Sequence, residues 1–141
     1  MERFAWLLQH QPLIFAHTIL ALGALLLGAW MLAGPKGSRG HRTAGWAWVA
    51  LMGGAALTSG FMRDGSMAIV AGFSPIHALT LLVMAQLPLA VWHARRGRIV
   101  AHRRTMKGLY LGGCIIAGAF TLLPGRFLGD TLWRHTLAWI A

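Results

Sequence analysis

Carboxylates are almost missing from this sequence. Only Glu2, Asp64 and Asp130 are acidic, and none lies within a long apolar run. Paired-carboxylate chemistry, buried carboxylate proton relays and oxygen-rich calcium or magnesium cages all lack raw material. Cysteine is scarcer still. Cys114 stands alone inside an apolar run. One thiol excludes an intramolecular disulfide, a cysteine-rich zinc site and an iron–sulfur cluster within one chain. Alone in that setting it reads as a small hydrophobe. Nowhere do an acid, a base and a nucleophile sit together, which disfavours hydrolytic chemistry. Charge of either sign is thin: 11% of the 141 residues are charged and 57% are hydrophobic. An average soluble domain has about 25% charged residues. With a mean hydropathy of +0.60 and long stretches free of charge, the chain reads as an all-α polytopic membrane protein.

The charge that is present is basic, 13 Lys and Arg for a net +10. These residues fall in short turns between apolar runs, where they act as topology signals rather than as a nucleic-acid surface. Four spans are predicted, at about Leu13–Ala33, Thr43–Met62, Gly72–His93 and Thr105–Leu123. A proline late in the third, Pro88, predicts a kink. Residues 1–12 and 127–141 read as amphipathic ends on the membrane surface. The far end of the first apolar run is strongly basic, so no cleavable signal peptide is expected. The turns after spans one and three, with their flanks, hold Lys36, Arg39, Arg42, Arg95, Arg96, Arg98, Arg103, Arg104 and Lys107. The other side holds Arg3, Arg63, Arg126 and Arg134. That imbalance predicts a multi-pass protein of the bacterial inner membrane, with both basic turns cytoplasmic and both termini periplasmic.

The sequence also looks doubled. His17 precedes His41 by 24 positions, and His77 precedes His102 by 25. Gly53–Gly54 precedes Phe61 as Gly112–Gly113 precedes Phe120, by eight positions in each half. Two spans per half (about 13–63 and 72–124) would make a 2+2 tandem repeat about an axis along the membrane normal. His17 and His77 then share a layer near the outer face, and His41 and His102 share one at the inner face. About 16 helical residues at 1.5 Å each separate the layers by roughly 24 Å. Facing neutral imidazoles suit a six-coordinate haem iron, and also copper or zinc. Ala21, Ala24 and Gly28 share a helix face with His17, leaving a trough where a flat macrocycle could lie. Arg42, Arg103 and Arg104 could pair with haem propionates or an anionic substrate.

Plainer readings stand beside these. Small residues at i, i+4 pack membrane helices. A histidine inside a span can serve an interhelical hydrogen bond. His41 and His102 can be solvated at the headgroups, as His10, His93 and His135 would be. His93 rivals His102 in depth as a partner for His41. The seven Met suit Cu(I) but form no ordered array, and core filling accounts for them.

His17, the basic turn, His41–Arg42 with Gly45, and His102–Arg103–Arg104 with Met106 resemble a bacterial family of small predicted membrane proteins, domain of unknown function twenty-three-oh-six. The resemblance covers about residues 13–125 and brings no firm activity with it. More distantly the chain resembles the four-helix membrane cytochromes b, which hold two haems between histidine pairs near opposite faces. That implies His17/His77 for one haem b and His41/His102 for a second. The expectation is a membrane electron-transfer protein fed by quinol or a redox partner protein, embedded in lipid and able to form a homo-oligomer, its activity that of an oxidoreductase if it is an enzyme at all. Rival expectations are a copper- or zinc-handling or transport protein using the same histidines, or a non-catalytic membrane assembly subunit.

Overall fold

A computed structural model describes residues 11–62, 75–122 and 129. The described residues are helical throughout, apart from the turns and helix ends. Helix α1 spans Pro12–Ala33, α2 Arg39–Phe61, α3 Pro75–Arg95 and α4 Ile99–Leu109. From α4 the chain continues without a break through a π-helical segment, Tyr110–Ile116, into α5, Ala117–Thr121. Two of the helices, Pro12–Ala33 and His77–Arg95, are long and apolar enough to cross a membrane. The amphipathic ends predicted for 1–12 and 127–141 lie outside the described residues, save for the boundary positions and Gly129.

Local chemistry sets the helix ends. Pro12 occupies the first turn of α1, where its missing N–H costs nothing. Lys36 folds back to donate to the Leu32 and Gly34 carbonyls at the other end. Gly37, at φ +84°, turns the chain. Ser38 then caps α2, its hydroxyl accepting from the His41 N–H at 3.1 Å. That cap starts α2 four residues before the predicted Thr43. The second turn is shorter. Gly97, at φ +70°, takes the left-handed position after α3. The Arg98 N–H returns to His93 O at 2.9 Å and the Gly97 N–H to Ala94 O at 3.2 Å, a Schellman closure. The reversal is complete by Arg98, so α4 begins at Ile99 rather than at Thr105. Arg103 and Arg104 therefore ride on a helix and not in a loop. Pro88 lies inside α3, which runs through it.

The four rods pack in a ring. Helix α1 lies on α2, α2 on α3, α3 on α4, and the π segment closes the circle against α1. Ala24 and Ala90 are completely buried and Trp48 nearly so, with Met52, Leu87 and Leu109 around them. Outward the bundle is apolar as well: Leu26 is 69% exposed, Leu81 68% and Phe61 74%. Side chains of that kind belong against hydrocarbon, because a water-soluble bundle buries them.

Candidate histidine site

Two histidines are anchored in the same way. His17 on α1 places Nδ1 at 2.9 Å from Ala55 O and 3.1 Å from Thr58 Oγ1, both on α2. His102 on α4 places Nδ1 at 2.9 Å from Ala90 O on α3. A carbonyl oxygen only accepts, so each Nδ1 carries the proton and donates it. In the neutral ring the lone pair is then on Nε2. A histidine that ligates a metal through Nε2 commonly has this arrangement, its other nitrogen donating to a backbone carbonyl. Thr58 supports the His17 anchor. Its hydroxyl hydrogen serves the Gly54 or Ala55 carbonyl, at 2.9 and 3.0 Å, which leaves an oxygen lone pair to receive His17.

Polar contacts at the His17 end continue across the bundle. Ser59, next to Thr58, is buried and accepts from Thr80 Oγ1 at 3.3 Å. Thr80 lies one turn along α3 from His77. Consecutive residues of α2 thus hold α1 at His17 and α3 beside His77. These hydroxyls escaped the sequence reading, although a Thr-Ser pair inside an apolar run is itself a signal of interhelical bonding.

At the other end of the bundle His41 lies in the first turn of α2 and His102 in that of α4. Partial burial, then the nearby His102 and Lys36, lower the His41 pKa from its ordinary value. His102 is thus close enough to His41 to act on its charge. Ala90, which holds His102, is one turn before His93 on α3. His93 has a buried Nδ1 with no hydrogen-bond partner, and its ring lies 5.2 Å from that of Trp92. Arg42, Arg103 and Arg104 are exposed. Among the described residues no three His, Cys, Asp or Glu side chains converge as a metal cluster.

The trough beneath His17 is filled. Trp48 Nε1 donates to Ala24 O at 2.8 Å, and Tyr110 Oη donates to Leu25 O at 3.2 Å. A Cβ at Gly28 would stand 2.6 Å from the Tyr110 ring and 2.7 Å from Trp48 Nε1. The small residues of α1 thus admit two aromatic side chains of the protein itself. One glycine of each repeated pair, Gly54 and Gly113, is also used for packing. Leu20 lies 3.1 Å from a Cβ placed at Gly54, and Met52 lies 2.8 Å from one at Gly113. Met52 also receives the Cys114 thiol, with the sulfurs 3.5 Å apart. The imidazoles fit axial or metal ligation. The face over Ala24 and Gly28 does not fit a macrocycle.

No curated protein and no solved structure matches this chain. The family described as "Predicted membrane protein (DUF2306)" matches residues 14–137. That range takes in all but the first two residues of the described helices, and each of the paired histidines, and the chain belongs to this family.

Proposed function

We propose that this protein is a multi-pass membrane electron-transfer protein of the b-type cytochrome kind. In this reading all four rods cross the bacterial inner membrane as two tandem hairpins, with both termini periplasmic. What supports it most is the matched anchoring of His17 and His102, each with Nδ1–H on a neighbouring helix's carbonyl and Nε2 left as the lone pair. His17 and His77 would hold haem b at the outer layer, and His41 with His102 a second at the inner layer. Arg42, Arg103 and Arg104 lie near enough to the inner histidines in sequence to meet propionates. When bound, the group supplies a one-electron ferric–ferrous couple.

The chain's own contributions follow from its contacts. Ala55 O and Thr58 orient the His17 ring and make it a better donor. The apolar exterior keeps water from the site. The outer group has to sit outward of Trp48, since that indole and Tyr110 occupy the trough below. Electrons would come from quinol or a partner protein, and a homo-oligomer is compatible with the lipid-facing surface. The filled trough favours one second reading, a bare copper or zinc ion on the same histidines, which needs no such space. A reduced-minus-oxidised spectrum of detergent-purified protein separates the two. A sharp reduced α-band that vanishes in His17→Ala and His77→Ala supports the cytochrome. A colourless protein holding stoichiometric copper or zinc favours the second reading.

A further inference from the structure

The inner surface carries a feature that the histidine chemistry does not use. Arg96 and Arg98 both stack on one indole: their guanidinium carbons lie 5.8 and 5.1 Å from the centre of the Trp92 ring. Arg95 similarly lies 5.6 Å from the Trp46 ring, on α2. Two like charges collected on a single ring repel each other unless an anion lies between them. Among the described residues there is no Asp or Glu side chain to supply one. The indole faces offset part of the repulsion by cation–π attraction and leave the guanidinium N–H edges free. A pair of such forks is suited to the oxygens of a phosphate.

The backbone holds this arrangement in place. Gly97, at φ +70°, closes the Schellman turn through the Arg98-to-His93 and Gly97-to-Ala94 bonds, which brings the residues on either side of it back over Trp92. The start of α4 has no side-chain cap, so its positive end opens onto the same surface. Immediately beyond the arginines, Ile99 is 53% and Val100 84% exposed. A free phosphate has no use for apolar side chains beside its site, whereas a lipid has acyl chains to lay against them.

We propose that Arg96, Trp92 and Arg98 form a clamp for the phosphodiester of an anionic phospholipid, with Ile99 and Val100 beneath its acyl chains. The clamp differs from a general basic surface in depending on the ring. Any Lys or Arg near the bilayer attracts anionic lipid by net charge alone, but Trp92→Leu leaves that charge unchanged.

The test is native mass spectrometry of the delipidated full-length chain in detergent, titrated with phosphatidylglycerol or phosphatidylcholine. Wild type is expected to retain phosphatidylglycerol in preference to phosphatidylcholine. Trp92→Leu should weaken that retention about three- to tenfold, the range of a cation–π contact. Trp92→Phe, which keeps an aromatic face, should retain most of it and guards against a mere folding defect. Arg103→Gln, which removes a charge outside the clamp, should cost less than Trp92→Leu. Three results would overturn the proposal: equal retention of the two lipids, losses that follow net charge regardless of Trp92, or displacement of the lipid by low-millimolar inorganic phosphate, which would mark a free-anion site.

Discussion

Replacing Gly28 with alanine tests whether aromatic side chains fill the trough on α1. The added Cβ would meet Tyr110 Cδ2 and Cε2 at 2.6 Å and Trp48 Nε1 at 2.7 Å, closer than real Cβ contacts. Ring and indole must both move, and each is tied by a bond to an α1 carbonyl. Overpacking of this kind costs about 1–3 kcal/mol. Losing an interhelical bond adds about 0.6 kcal/mol on average. Alanine's better helix propensity returns about 0.8–1 kcal/mol. The net expectation is a loss of about 0.6–2.8 kcal/mol. Gly108 is the control, because a Cβ there meets nothing within 4 Å. Gly108→Ala should therefore be neutral or gain up to about 1 kcal/mol. Both variants can be unfolded in one detergent by titration with a denaturing surfactant, followed by near-ultraviolet circular dichroism. If Gly28→Ala proves as stable as Gly108→Ala, the packing described for Trp48 and Tyr110 is wrong. The macrocycle would then regain its place beneath His17.

Other substitutions reach other parts of the account. Trp48→Phe keeps the ring volume roughly but loses the donor to Ala24 O, and should cost about 0.6–1.7 kcal/mol in the same titration. His102→Gln removes a neighbour that holds the His41 pKa down, so the His41 titration followed by NMR should move upward. No movement would mean that the two rings are not neighbours. Because the folded-state pKa of His41 lies below its ordinary value, the unfolded chain takes up that proton first. The stabilising contribution is full above the ordinary histidine pKa and lost as pH falls through the folded value. His41→Gln should therefore flatten the acid side of the stability profile.

The four rods were legible in the sequence because apolar runs and basic, glycine-bearing turns alternate so plainly. Their starts were less legible. Arg39 and His41 looked too polar to open a helix until the Ser38 cap is considered, and Arg98 to Arg104 read as a turn although Gly97 alone completes the reversal. Spacing put His17, His41, His77 and His102 near the starts of helices, where they lie, but it did not reveal the anchors. Nothing local marks Ala55 or Ala90 as acceptors, since any helical carbonyl can take a second bond where a helix packs against it closely enough. The trough shows the same difficulty from the other side. Ala24 and Gly28 announce that something approaches α1 closely, and spacing cannot say whether a ligand or a residue from another helix does so. Trp48, seven residues into its apolar stretch from His41, and Tyr110, the one tyrosine in the chain, were the clues.

The central claim is that anchored histidines hold a redox group, and the most direct measurement is haem, iron, copper and zinc per chain in the purified protein, set beside the same counts for His17→Ala. The account predicts one to two haems with matching iron in the wild type, at least one of them lost with His17. Protein without haem, iron or copper, even after expression with added haem, would contradict it.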